Sequence, residues 1–330
     1  MSTLPATMNA VEISAPGGPE VLKPVERPLP VPKAHEVLIK VVGAGINGPD
    51  LMQRKGLYPA PAGASDLPGL EVSGEVVAKG AAVTRWSIGD PVVALTNGGG
   101  YAEYVAVDAG HCLSVPKGIS MLDAAGLPET FFTVWSNVFI GAGLKAGETF
   151  LVHGGAGGIG TTCIQLGKAF GAKVIATDSP AARCQICKDL GADRVIDYKA
   201  EDFVEAVRAE GGANVILDIV GGPNIEKNLK AASHDARIIQ LAFAAGSKVE
   251  INLMPVMLKR LTYTGSTLRT RPDAFKARVA RELEAQVWPH IAAGKIRVVT
   301  HKALPLAEAA QAHAMMESSQ HTGKILLRVS

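Results

Sequence analysis

The chain has 330 residues, 47% of them hydrophobic and 19% charged, room for about two domains at roughly 150 residues each. Thirty-three basic against 31 acidic side chains leave a net charge of +2, and with 5% aromatics and no basic run nothing points to nucleic acid. No apolar stretch reaches the roughly 18 residues of a membrane span. Met1–Thr7 lack the charged-then-apolar order of a secretory signal and read as a loose leader, so a cytoplasmic location is expected.

From Asn9 to about Pro128 the texture is β. Met8–Ile13, Val37–Ala44, Val72–Lys79, Pro91–Leu95 and Tyr101–Val107 are short runs rich in β-branched residues, separated by glycine and aspartate turns. Pro24, Pro28, Pro30 and Pro32 suggest an extended connector between the first two. Strands at this spacing with little helix between them suggest a barrel-like domain.

After Gly118 the texture changes. Ser120–Gly126 and Thr130–Ile140 are expected to be helical, followed by a buried strand, Thr149–His153, that breaks into glycine. Gly155, Gly157 and Gly160 fall in G-x-G-x-x-G spacing, and Ile159, Cys163, Leu166 and Phe170 then recur at helical intervals. Such a turn lets backbone N–H groups approach a pyrophosphate, which the positive end of the helix also attracts. Strands and helices alternate from Lys173–Thr177 through Leu261–Gly265, the pattern of a parallel sheet covered on both faces. Ser179 and Pro180 are placed at N-cap and N1 of the second helix, with Gly191 ending it. The C-terminal part carries an amphipathic helix (Phe275–Ile291), a strand (Val298–His301), a helix (Leu306–Met316) and a last strand, Gly323–Val329. That last strand is expected to return to the first domain, so that the nucleotide-binding domain is inserted within the other.

Asp178 ends the second strand, 18 residues after Gly160, where an acidic side chain accepts hydrogen bonds from an adenosine ribose and repels a 2′-phosphate. By itself it favours NADH. Arg183, one turn later, pulls toward a phosphate. Cys184-x-x-Cys187 sits in a helical pattern with no second pair nearby and reads as two reduced cysteines. His153, at the end of a buried strand, reads as a structural donor.

Gly147-Glu148, Leu151, Gly155-Ala156-Gly157-Gly158-Ile159-Gly160, Gln165 and Lys168 together resemble the signature of the quinone oxidoreductase and zeta-crystallin branch of the medium-chain dehydrogenase/reductase superfamily. Gly17-Gly18-Pro19-Glu20, Asn47 with Asp50–Arg54, Gly69–Gly74, Gly89-Asp90 and Gly323-Lys324-Ile325 extend the similarity along the whole chain, closest to the p53-inducible quinone oxidoreductase-like group. The resemblance implies an α/β protein, a Rossmann doubly wound parallel sheet (residues 129–299) inserted in a β-rich, GroES-like barrel domain (1–128 plus 300–330). It implies a dimeric enzyme that reduces quinones or conjugated carbonyls with NADPH, without zinc or flavin. Asn47 and Leu70 stand where zinc-dependent relatives carry a cysteine and a histidine, and Thr96–Tyr101 lacks the cysteine-rich lobe.

Without a metal, donors must stabilise the charge that grows on the acceptor oxygen. Asn47 and Tyr58 match cleft positions in similar enzymes and are the candidate donors; Tyr58 also lies on the coenzyme side. Met52 replaces a tyrosine found in other branches, which leaves the proton donor unassigned. With the loop residues Gly155–Gly160, further coenzyme contacts implied are Thr133, Asp178, Ser179, Arg183, Tyr198, Phe243 and Arg269. Leu261–Leu268 reads as an edge strand through which two copies would pair. Two other readings stay open: an enoyl-thioester or alkenal double-bond reductase, and a nucleotide-binding protein without enzymatic activity.

Overall fold

The computed structural model describes residues 4–330, so the expectation for Met1–Thr3 lies outside the described residues. The chain divides into two compact units, residues 1–132 with 269–330, and residues 133–268. Each is taken by itself below.

The first unit opens with β1 (Thr7–Ile13), antiparallel to β2 (Leu22–Pro28). The sequence reading made the second of these a connector. Its prolines are compatible with a strand because β2 pairs with β1 alone in a two-stranded ribbon, so the missing N–H groups interrupt no inner ladder. The main sheet is built on β3 (Glu36–Gly45), flanked by β4 (Glu71–Lys79), then β5 (Pro91–Leu95), with β6 (Tyr104–Asp108) pairing β3 and β7 (Cys112–Ser114) pairing β5. Val37, Ile39, Val41, Val72, Val76 and Val92 are fully buried between these strands. Each such side chain is worth about 1.5–3 kcal/mol of transfer free energy.

The second unit is a parallel sheet. In chain order its strands are β8 (Thr149–His153), β9 (Lys173–Asp178), β10 (Arg194–Asp197), β11 (Ala213–Asp218), β12 (Ala232–Gln240) and β13 (Thr262–Gly265). Their spatial order is β10-β9-β8-β11-β12-β13. This is the doubly wound arrangement in which ligands bind beyond the carboxyl end of the first strand, at the point where the strand order reverses. The core of β8, all five residues buried, is flanked by β9 and β11 at matching register. β13 lies at the free edge, and all four of its residues are exposed.

The chain then returns to the first unit with β14 (Thr300–Pro305) and β15 (Lys324–Arg328), the latter antiparallel to β3 across Leu326–Gly45. The expected insertion is therefore observed, with shifted limits: residues 269–299 group with the first unit rather than with the nucleotide-binding one. Packing explains it. His111 Nε2 lies 3.3 Å from the Asp273 carbonyl, and Trp288 Nε1 donates to the Ser114 carbonyl. The expected helix 275–291 begins at Asp273 and widens over Leu283–Val287 just before Pro289, whose ring displaces the regular backbone bond. The second helix of the parallel unit starts at Ala181, with Pro180 at the N-cap, one residue later than read from the sequence. The Asp178 carboxylate, not the Ser179 hydroxyl, takes the Ser179 N–H at 2.8 Å.

Candidate active site

In the second unit β8 runs into the glycine loop, and the helix Gly158–Ala169 starts with Gly157 as N-cap and no side chain capping it. The first-turn N–H groups of Gly158, Ile159 and Gly160 lie in the helical segment that would face an anion. Two glycines are required for different reasons. A Cβ on Gly160 would collide with the Gly154 carbonyl and sit 2.6 Å from Gly155 Cα, so the loop closes only without it. At Gly157 a Cβ would meet only Gly154 O, at 3.5 Å. That space is open on the protein side, as a cradle for a pyrophosphate requires. The residues present fit a dinucleotide.

Asp178 is at the expected strand end, but it faces inward and is 4% exposed. Its Oδ2 accepts the Ala156 N–H at 2.8 Å, its Oδ1 accepts the Ser179 N–H, and Arg183 grips both oxygens at 2.6 and 3.3 Å. The carboxylate ties the glycine loop to β9, and its charge is neutralised by Arg183. The buried acid needs these partners. Tyr198 is half exposed and approaches Asp178 through its N–H, 3.3 Å from the Asp178 carbonyl. Phe243 is 46% exposed, its ring against the left-handed Gly221. Thr133 is half-buried, and its carbonyl accepts from Ser136 and Asn137.

His153 is buried with both ring nitrogens occupied, by Thr177 Oγ1 and Asn228 Oδ1 at 2.8 Å each, and burial lowers its pKa. Asn228 in turn donates to Asp218. It is a structural donor, as read. Cys184 and Cys187 are buried on the helix Ala181–Asp189, and burial pushes the Cys187 thiol up to about 12.

The first unit holds Asn47, Tyr58 and Arg269. Asn47 is the N-cap of the helix Gly48–Arg54, and its N–H donates to Asp50 Oδ2 at 2.8 Å. Its amide is already engaged: Nδ2 donates to Glu71 Oε1 at 2.8 Å, and Oδ1 accepts from Lys324 Nζ at 2.6 Å. Lys324 also pairs with Glu71 Oε1 at 2.6 Å, and both side chains are buried. Glu71 Oε2 accepts the backbone N–H of Glu129 at 2.8 Å. Asn47 therefore has one amide N–H left for an acceptor. Tyr58 is half-buried, and its hydroxyl makes no hydrogen bond among the described residues. Burial and the neighbouring Glu129 raise its pKa, so the phenol stays a donor.

Arg269 sits 5.6 Å from the Tyr58 ring centroid. Its guanidinium is 6% exposed and donates to Asn97 O at 3.0 and 2.6 Å and to Gln53 Oε1 at 2.9 Å. A guanidinium so buried must find acceptors, and three of its five N–H groups find them in the first unit.

Four residues of this site had no role in the sequence reading: Asp50, Glu71, Glu129 and Lys324. Asp50 is fully buried and accepts from Gly69 N–H as well as Asn47; desolvation raises its pKa to about 7. Glu129 opens the helix Pro128–Val134 and is 9% exposed; burial, with Glu71 and Asp50 nearby, raises its pKa to about 8. A signal did exist for two of them. Glu71 lies between Leu70 and Val72, and Lys324 directly precedes Ile325-Leu326-Leu327, charges set among residues apolar enough to be buried, a pattern that calls for a partner.

Comparison with known proteins agrees with this geometry. Residues 33–117 match the alcohol dehydrogenase GroES-like domain, and residues 158–285 match the zinc-binding dehydrogenase family. Among the described residues no group of three His, Cys, Asp or Glu side chains is arranged to hold a metal ion. Quinone oxidoreductase of Homo sapiens is 31% identical over 336 residues, covering 99% of each chain. The structure titled as Escherichia coli quinone oxidoreductase complexed with NADPH matches at TM-score 0.85 and 30% identity, covering 97% of this chain and 100% of that one. One titled as an NAD-dependent alcohol dehydrogenase matches at TM-score 0.87 and 30% identity, covering 98% and 100%. No helix among the described residues is long and apolar enough to cross a membrane. The chain is an oxidoreductase that belongs to the quinone oxidoreductase branch of the medium-chain dehydrogenase/reductase superfamily.

Proposed function

We propose that the protein reduces quinones or conjugated enones with NADPH, without zinc or flavin. The observation that carries this is the backbone cradle at Gly157, open on the protein side and tied to β9 through the Asp178 carboxylate. When bound, the nicotinamide supplies a hydride. The chain's own residues do the rest. Gly155–Gly160 hold the pyrophosphate by backbone N–H groups. Tyr58 and the remaining Asn47 N–H orient the acceptor and stabilise the charge developing on its oxygen. The donor set speaks against zinc: Leu70 has no ligand atom, and the Asn47 amide is held by Glu71 and Lys324.

NADPH is favoured over NADH because the charge that would repel a 2′-phosphate is paired with Arg183 at 2.6 Å. The relative solved with NADPH supports the same choice. We also infer a homodimer through β13. All its residues are exposed at a sheet edge, and Leu253, Met257 and Leu258 nearby in sequence are at least 60% exposed. Steady-state oxidation of NADPH and NADH with para-benzoquinone, phenanthrenequinone and a panel of enones tests the reading. Turnover of none of them refutes it, and an NADH preference refutes the coenzyme choice alone. Sedimentation velocity tests the dimer; a monomer at micromolar concentration excludes it.

A further inference from the structure

Three fully buried polar side chains of the first unit, Arg54, Tyr101 and His313, form a line of hydrogen bonds that begins near the surface. Arg54 ends the helix that Asn47 opens, and His313 lies on the helix Ala309–Glu317. The Arg54 guanidinium donates to the partly exposed Glu317 Oε1 at 2.6 Å and to the Gly17 carbonyl at 3.1 Å. Its Nη1 lies 3.3 Å from His313 Nδ1, and on the far side of the ring Nε2 lies 3.0 Å from the Tyr101 hydroxyl.

The outer end of the line fixes its direction. A guanidinium can only donate, so His313 Nδ1 accepts and Nε2 carries the ring proton. Burial and the Arg54 charge push the ring's pKa down to about 3, which keeps it neutral. Nε2–H then donates to the Tyr101 oxygen, and the phenol gives its own proton onward. Asp50 stands where that proton goes. It is four residues before Arg54 on the same helix, so the two side chains share a face, one turn apart. The backbone brings Tyr101 to the same place: Asp50 Oδ1 accepts the Gly69 N–H at 3.0 Å, and Tyr101 N–H donates to the adjacent Pro68 carbonyl at 3.0 Å. The phenol hydrogen-bonds the Asp50 carboxylate, which also accepts the Asn47 N–H at 2.8 Å.

We propose that His313 is a positioning residue of the reductase: the tautomer that Arg54 imposes on it turns the Tyr101 O–H onto Asp50 and so holds Asp50 as the carboxylate that anchors Asn47. The proposal rests on the reading of Asn47 as a donor to the acceptor oxygen. A protonated Asp50 would need an acceptor for its own O–H. Tyr101 could serve only by turning its proton toward a ring nitrogen that already carries one. The other charges that act on Asp50, Glu71 and Lys324, are paired with each other at 2.6 Å.

Nitrogen-15 NMR of the ligand-free full chain reads the tautomer. His313 should keep a bare Nδ1 and a protonated Nε2 from pH 5 to pH 9; the opposite tautomer, or a ring that titrates in this range, overturns the proposal. Infrared difference spectra, each protein minus its Asp50→Asn counterpart, read Asp50. In Tyr101→Phe the midpoint of its carboxyl band should rise by about one pH unit, as loss of one hydrogen bond to a charge requires. An unmoved midpoint overturns the proposal. In turnover, Tyr101→Phe and His313→Leu should each lose about tenfold in kcat at pH 7 and regain most of it at alkaline pH, with the Kd for NADPH unchanged. The His313→Gln amide can accept from Arg54 and donate to Tyr101 in the same sense, so this variant should stay within about twofold of the wild type. Equal damage by Gln and Leu, or a loss that alkaline pH does not restore, overturns the proposal. Should His313→Leu fail to fold, Tyr101→Phe and His313→Gln carry the comparison. Absence of turnover by the wild type overturns the reductase reading instead, and the two spectroscopic results then still decide whether the line runs to Asp50.

Discussion

The two units build their sites in opposite ways. In the second, seven consecutive residues, Gly154–Gly160, form the cradle from backbone alone, and its one charged tie, Asp178, follows a strand later. In the first, the site draws on the buried Glu71–Lys324 pair and on the Asn47 amide that binds both, groups that meet only after long excursions of the chain. A backbone site tolerates side-chain change but not a Cβ in the wrong place. A side-chain site tolerates added atoms better than the loss of one charge.

The largest expected effect tests the backbone half of that contrast. Gly160→Val should abolish coenzyme binding and cost about 3 kcal/mol or more, since overpacking this turn displaces main chain on both sides. Calorimetric titration with NADPH and urea denaturation check it; retained binding would show that the loop can reclose.

Next comes the charge half. Lys324→Met strands the Glu71 carboxylate, and breaking a buried pair in this way costs about 3–5 kcal/mol. The double variant Lys324→Met with Glu71→Gln should recover part of the loss. Failure to recover any would mean that the lysine acts by packing rather than by charge.

Asp178→Ala should fall between the two kinds of site. It removes the tie to Ala156 N–H, so both coenzymes should weaken together by about tenfold, the size of a hydrogen bond to a charged group. A clean switch in preference would restore the ribose-facing role read from the sequence.

The smallest effect is on pH. Folded Glu129 has its pKa raised to about 8 from an ordinary 4.5. The stability it contributes is therefore fully present below about 4.5 and lost as pH rises through about 8. His313, pushed by burial and Arg54 to about 3, has the opposite sign, its contribution being present above about 6.5 and lost as pH falls. Urea midpoints should therefore decline toward alkaline pH in the wild type, and the decline should be shallower in E129Q.

The same contrast explains what could be read from the sequence. Local spacing announced the glycine loop, its helix and the alternation of β9 to β13. The marks that made the family recognisable, Glu148 and Lys168, hold scaffold: Glu148 pairs with Arg237 at 2.8 Å, and Lys168 with Asp193 at 2.7 Å. Asn47 and Tyr58 were found by resemblance, but no spacing rule links Glu129 to Lys324, 195 positions on in the sequence. β2 was missed because proline frequency masks a strand that needs only one partner. For Asp178 the sequence offered the strand end but not the bonds to Ala156 and Arg183, because a sequence position carries no information on which hydrogen bonds close around it.

The return of the chain in β15 bears on biosynthesis. Residues 133–268 form an uninterrupted unit, whereas the first unit waits for its last strand. While the chain is being made, Glu71 emerges long before Lys324 and lacks its counter-ion until β15 follows. The inserted unit can form first, and the enclosing one is finished only once β15 has emerged. Shortening the chain before Lys324 would therefore leave a nucleotide-binding unit folded beside a partner trapped short of its native charge balance.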